Sequence, residues 1–193
     1  MVPKSKAGPG KGAPGKVRII GGEWRSRVLT FPDAEGLRPT ADRVRETVFN
    51  WLGQTLEGKN CLDLFAGSGA LGFEALSRYA QHVTLVEKNA RVHAALKENA
   101  LKLGAQKFDL ICADGLQWLK QDGRVYDVIF LDPPFAAELL PKLWPLVAGR
   151  LAPEGVVYLE SGAPLTVPEG WALWRGGRAG AVHYGLAKME SHA

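Results

Sequence analysis

From residue 60 onward the chain alternates between two hydrophobic periodicities. Short runs dense in Val, Ile, Leu and Phe are each followed by a stretch whose apolar positions recur three and four apart. The runs predict strands at 60–65, 82–87, 108–113, 127–131 and 156–160, and the stretches predict helices near 70–79, 90–103, 115–121 and 138–151. Gly104 stands where a C-cap glycine ends a helix, while Pro141 and Pro145 are expected to start the last helix late or to kink it. Residues 172–174 and 181–188 flank Gly176-Gly177 and read as a closing antiparallel hairpin. Strands alternating with helices imply an α/β, Rossmann-like body. Its mostly parallel seven-stranded sheet should end in that hairpin and take ligands at the carboxyl ends of the strands.

Upstream the pattern changes. Residues 17–20 and 24–29 are apolar positions interleaved with arginines, and Gly21-Gly22 between them predicts a tight β-hairpin turn. After a loop at 36–40, a helix from Thr40 or Ala41 should bury Val44, Val48, Trp51 and Leu52, leaving Arg43 and Arg45 for other faces. Residues 1–16 are mostly Lys, Gly and Pro, too poor in apolar surface to offset chain entropy, and are expected to be a disordered basic tail. Three regions follow: the tail 1–16, a hairpin-and-helix extension 17–56, and the body 57–193.

Composition sharpens this outline. With 193 residues, 46% hydrophobic and 23% charged, the chain fits one globular domain plus an appendage and needs no disulfide or metal staple. Its net charge of +4 is unevenly spread: residues 1–45 carry an excess of six positive charges, and the rest are slightly acidic. Such asymmetry suggests a polyanion-binding arm on a near-neutral body. Cys61 and Cys112 both fall in apolar runs and are expected to be buried thiols, as in a reducing compartment. No run approaches the ~18 apolar residues of a membrane helix, and no apolar stretch follows the charged N-terminus, so no membrane partner and a cytoplasmic location are expected. The four histidines lack metal-ligand spacing, and no metal is expected. Neither a nucleophile elbow nor a Walker-type loop is present.

The candidate chemistry lies where the strands end. Gly67, Gly69 and Gly72 spell G-x-G-x-x-G after the first strand of the body, and Glu87 ends the next strand 20 residues after Gly67, as in a dinucleotide site. Asp63 argues against a dinucleotide, because a carboxylate beside the loop would repel a pyrophosphate. S-adenosylmethionine carries an ammonium and a sulfonium instead, which Asp63 and the segment around Phe65 can accommodate. Glu87, with neighbouring Lys88, can accept the ribose hydroxyls, and Asp114, with neighbouring Gly115, can accept the adenine amine. Strand-end turns or helix caps are the plain alternative for each of these acids.

Asp132-Pro133-Pro134-Phe135 follows the fourth strand of the body. Proline cannot continue a central strand, so the chain leaves the sheet at the same rim. The Asp132 carboxylate and the Pro133 carbonyl can each accept one N–H of an exocyclic base amine, and Phe135 offers a face for the base to stack on. An amine delocalised into its ring is a poor nucleophile, and two acceptors aimed at its hydrogens stabilise the charge that develops on nitrogen during transfer.

Taken in order, Arg18 to Arg25, Leu37-Arg38-Pro39-Thr40, Asp42 to Thr47, the Asp63 loop and Asp132 to Phe135 resemble the bacterial small-subunit ribosomal RNA guanine-N2 methyltransferase family (the RsmD type). The resemblance begins near residue 17. It implies a Rossmann-like methyltransferase fold, S-adenosylmethionine as donor, and one guanine of 16S ribosomal RNA in the small ribosomal subunit as target. It also implies that the segment holding Arg38 and Thr40 closes over the cofactor. Arg18, Trp24, Arg25, Arg27, Arg43 and Arg45 are then the expected RNA contacts, and a monomer is expected. A DNA adenine-N6 methyltransferase, a non-catalytic RNA-binding assembly factor and, more remotely, a nicotinamide dehydrogenase remain alternatives.

Overall fold

The computed structural model describes residues 12–34 and 36–191; most of the expected basic tail lies outside these. The extension comprises β1 (Gly15–Arg18), β2 (Val28–Phe31) and α1 (Asp42–Leu52). The body follows as β3 (Asn60–Asp63), α2 (Ala70–Ser77), β4 (His82–Glu87), α3 (Ala90–Leu103), β5 (Phe108–Cys112), α4 (Gly115–Gln121), β6 (Tyr126–Leu131), α5 (Ala136–Ala148), β7 (Leu151–Ser161), β8 (Trp171–Ala179) and β9 (Val182–Met189). The seven body strands form one sheet in the order β5-β4-β3-β6-β7-β9-β8. The first five run parallel, and β9 and β8 are antiparallel additions at one edge. The order reverses between β3 and β6, which opens a crevice at their carboxyl ends where a ligand can enter.

Both faces of the sheet are covered. Cys61, Val83, Leu85, Val128, Phe130 and Tyr158 face the layer containing α1, α2 and α3. Leu62, Val86, Ile129, Leu131 and Val157 face the layer containing α4 and α5. That alternation within single strands is why the strands read as unbroken apolar runs. Asn89 caps α3 by accepting from the Arg91 and Val92 N–H groups, and Gly104 closes that helix at φ 65°. No helix among the described residues is long and apolar enough to cross a membrane.

Several expectations are corrected. In the first hairpin the strands pair Gly15 with Phe31 and Arg18 with Val28, and the chain reverses at residues 23–26, not at the glycines. Gly21 and Gly22 instead lie against α2. A Cβ on Gly22 would fall 1.9 Å from the Ser77 carbonyl oxygen, and one on Gly21 would strike the Arg78 guanidinium. The closing hairpin repeats this lesson. Gly176 and Gly177 lie within β8, where a Cβ on Gly177 would sit 2.7 Å from the Tyr184 ring, and the turn is at Gly180.

Two helices also differ from expectation. The buried side of α1 includes Phe49 and Arg45 beside Val44 and Val48, with Trp51 and Leu52 only partly covered. Helix α5 begins at Ala136, ahead of both prolines. Pro141 and Pro145 are spaced i, i+4 on its exposed side, where water can serve the carbonyls that lose their N–H partners. Cys61 is buried, but Cys112 is exposed because it ends the edge strand β5.

Candidate active site

The loop after β3 is built by its own backbone. The Ala66 N–H donates to the Val86 carbonyl across the sheet, and the Gly69 N–H donates to the Ala66 carbonyl. Gly67 and Gly69 take φ of 52° and 81°, values that disfavour side chains with a Cβ. A Cβ on Gly69 would strike Phe73 and Leu96, so that glycine serves the packing behind the loop, and it does not line the cavity. Gly72 lets α2 approach β4, since its Cβ would lie 2.6 Å from the Leu85 side chain.

A cavity of about 260 Å³ opens at the carboxyl ends of β3, β4 and β6. Of the expected cofactor residues, Arg38, Thr40, Asp63, Phe65, Gly67, Glu87, Lys88, Asp114 and Gly115 line it, and Asp132 and Pro133 close one side. Leu37 covers the loop, with its Cδ1 2.8 Å from where a Cβ on Gly67 would lie. The segment between β2 and α1 therefore roofs the cavity, and residues more than twenty apart in sequence share one wall.

The acids are held differently. Glu87 accepts from the Gly67 N–H at 2.8 Å and the Asn89 N–H at 3.0 Å. Asp114 caps α4, accepting from the Gln117 N–H at 3.0 Å, so the plain cap reading holds for it while it also lines the cavity. Asp63 is buried and accepts one backbone bond, from the Gly72 N–H at 2.9 Å. Burial pushes its carboxyl up to about 7; the Gly72 bond opposes the shift and the Glu87 charge adds to it. Asp132 is likewise raised to about 7, first by burial, then by Glu160 and Asp63. Two neighbouring carboxyls are thus held without an ion pair among the described residues, and an entering cation would favour their ionised forms.

Those features test the fit of S-adenosylmethionine on the residues present. The buried Asp63 carboxyl, without an ion pair among the described residues, repels phosphate and suits a sulfonium and an ammonium. The set Asp63, Glu87 and Asp114 at three strand ends fits that cofactor and not a dinucleotide.

Phe135 does not line the cavity. It follows Pro134 at φ 56° and is 79% exposed, standing outside the mouth. The sequence reading missed Glu160, an acid one residue short of the end of β7, much the same signal that Asp63 and Glu87 give. Its Oε2 accepts from the Tyr158 hydroxyl at 2.8 Å and the Thr40 hydroxyl at 3.3 Å.

Among the expected RNA contacts, Arg18, Arg25, Arg27 and Arg43 are exposed. Arg18 pairs with Asp42 at 3.5 Å, and Arg27 donates to the Lys102 carbonyl at 2.9 Å. Arg45 is turned inward. It is 1% exposed and pairs with Glu74 at 3.2 Å and with Asp42, so it cannot reach a phosphate. Trp24 is also buried, at 8% exposure, with its backbone N–H donating to the Ser77 hydroxyl; it packs the extension onto α2 and offers no face for stacking a base.

Comparison with known proteins gives a consistent result. The profile of the family described as conserved hypothetical protein 95 matches residues 17–188. Ribosomal RNA small subunit methyltransferase D of Escherichia coli K12 is 46% identical over 189 residues, 95% of each chain. The protein of that name from Haemophilus influenzae is 44% identical over 182 residues, covering 90% of this chain and 94% of its own. The solved structure of yhhF from Escherichia coli superposes with a TM-score of 0.83 at 43% identity, over 92% of this chain and all of the other.

Proposed function

This chain belongs to the conserved hypothetical protein 95 family, that of the small-subunit ribosomal RNA methyltransferases D, and we propose on that premise that it methylates the N2 amine of one guanine in 16S ribosomal RNA. The enzyme is an S-adenosylmethionine-dependent ribosomal RNA methyltransferase with a Rossmann-like fold. The observation that carries the finer reading is the meeting of Asp132 and Pro133 with the Asp63 and Gly67 loop around one cavity. A monomer acting in the cytoplasm on a small-subunit particle suits that substrate.

When bound, the cofactor supplies a methyl group already activated by its sulfonium. Asp63, Glu87 and Asp114 would hold it, with Arg38 and Thr40 in the roof. The chain's own task is then orientation. The Asp132 carboxylate and the Pro133 carbonyl accept the two N–H bonds of the amine and direct its lone pair into the cavity. Charge developing on nitrogen is stabilised by the Asp132 oxygens, which can also take the proton released from the product amine. A carboxyl poised near neutrality suits that exchange. Phe135, exposed at the mouth, supplies a stacking face for the purine. Arg18, Arg25, Arg27 and Arg43 supply phosphate contacts that fix register without reading sequence.

The test uses small-subunit particles isolated without the modification and cofactor labelled in its methyl group. Label should appear on one guanine N2, located by mass spectrometry of nuclease fragments. Asp132→Ala should lower kcat by about 10²–10³-fold while cofactor affinity stays near wild type. Label on duplex DNA adenine instead, or full activity in Asp132→Ala, would overturn the reading.

A further inference from the structure

Resting on the guanine-N2 reading above, the geometry points to Glu160 as the residue that selects the base, its free Oε1 accepting the guanine N1–H while Asp132 and the Pro133 carbonyl hold the amine. Strands β6 and β7 run parallel with Phe130 opposite Tyr158 and Leu131 opposite Leu159. Partners in such a pair project to the same face, and neighbouring strands lie about 4.8 Å apart. The next residues along, Asp132 just past the end of β6 and Glu160 still within β7 and paired with Tyr184 of β9, therefore lie side by side at the rim. Their proximity is also felt electrostatically, since the Glu160 charge is among the causes that raise the Asp132 carboxyl.

Glu160 is held in one orientation. Its Oε2 takes both protein donors, the hydroxyls of Tyr158 and Thr40. Tyr158 is itself fully buried, with its ring edge on Phe130 at 6.1 Å between centroids. No protein hydrogen bond among the described residues reaches Oε1, although a carboxylate oxygen has lone pairs to offer. Glu160 is only partly buried, so this oxygen is open to a base entering beside Asp132.

Guanine presents donors at N1 and at the C2 amine on one edge. Two adjacent carboxylates satisfy both. Adenine carries its amine beside an N1 lone pair, which would face the Glu160 oxygen with no proton between them. The pair thus reads a donor next to the target amine, a pattern that distinguishes guanine from adenine without any separate reading domain.

The closing experiment uses 2-aminopurine, which keeps the C2 amine and the purine shape but has a bare N1. Particles are reconstituted with 16S RNA carrying guanosine or 2-aminopurine at the mapped target, and kcat/KM is measured on each. The wild-type enzyme should favour guanosine by about 10- to 100-fold, the range for a hydrogen bond to a charged group. Glu160→Gln, whose amide can donate to a bare N1, should lose most of its activity on guanosine and gain on 2-aminopurine, so that the ratio collapses or inverts. Tyr158→Phe releases Oε2 without touching the base and should lower the ratio partially; it also serves if Glu160→Gln melts early. An unchanged ratio in folded variants, or a wild-type enzyme that does not distinguish the two bases, overturns the assignment of Glu160 while the methyltransferase reading stands. A wild-type enzyme active on neither particle overturns both.

Discussion

Glu74 in α2 and Asp63 at the end of β3 are both shut away from solvent, at 0% and 3% exposure, yet the protein answers the two carboxylates in opposite ways. Glu74 collects the Ile20 and Gly21 N–H groups at 2.9 Å each, Arg45 at 3.2 Å and Arg78 at 2.9 Å. Every donor comes from this chain, and two of them are guanidiniums. Asp63 has one backbone N–H and, among the described residues, no ion-pair partner. A buried charge with all its partners inside is a fastener, here tying the extension onto the body. One whose counter-charge is missing waits for a ligand. Burial alone therefore does not separate structural acids from functional ones; the source of the compensating charge does.

The difference should be largest at Glu74. Glu74→Gln leaves the Arg78 guanidinium without its counter-ion and Arg45 with Asp42 alone, and removing one partner of a buried ion pair costs about 3–5 kcal/mol. In a chain of this size that lowers the melting temperature by roughly 6 to 20 °C, to be read by calorimetry. The cofactor affinity of the molecules that remain folded should hold. A drop of only 1 or 2 °C would mean that Glu74 is not the fastener.

Asp63 should behave in the reverse manner. Its carboxyl keeps its proton up to about pH 7 in the folded chain, against 3.8 for the ordinary group. The native state therefore binds more protons across that window, and this contribution to stability declines as pH rises from about 4 to 7. Asp132 shifts in the same direction. Asp63→Asn should flatten the slope of urea midpoints between pH 5 and 7 and weaken S-adenosylmethionine binding, while stability at pH 7 changes little or improves. Parallel slopes for wild type and variant would remove Asp63 from this role.

The smallest effect expected is at the surface, and it separates Arg45 from its exposed neighbours. Arg25→Ala with Arg27→Ala should weaken particle binding and reduce the log–log salt slope by about 0.7–0.9 for each phosphate no longer neutralised. Arg45→Gln should instead lower stability and leave that slope alone. Salt titration of the two variants side by side checks this, and equal slope changes would place Arg45 at the RNA after all.

Much of this contrast between inside and rim was legible in the residues themselves. Strand and helix patterning in the body is local, and Gly104 and the Gly67 loop are local punctuation, so the positions of β3 to β6 and of α3 and α4 could be read with errors of two residues or fewer. The acids at the strand ends followed, because a parallel sheet puts all its carboxyl ends on one rim. Glu160 carried the same sign, but its importance depends on β7 lying next to β6, a pairing that no local pattern encodes.

What the sequence by itself determined was the set of elements, the rim on which chemistry could sit and the residue types available there. Only the tertiary structure decided which charges face inward. A helical wheel sets Arg45 and Arg43 about 200° apart, with Arg45 beside Val48, but it does not say whether a charge there is paired inside, and Glu74, 29 residues from Arg45, makes one a buried tie while the other stays in water. The paired glycines were ambiguous for the same reason. A missing Cβ serves a tight turn or a close approach equally well, and the difference lies in what is packed opposite: the Ser77 carbonyl over Gly22 and the Tyr184 ring over Gly177. Periodicity reports how a segment relates to itself, whereas burial of a charge or the covering of a glycine is a relation to residues far along the chain, settled only when the layers pack.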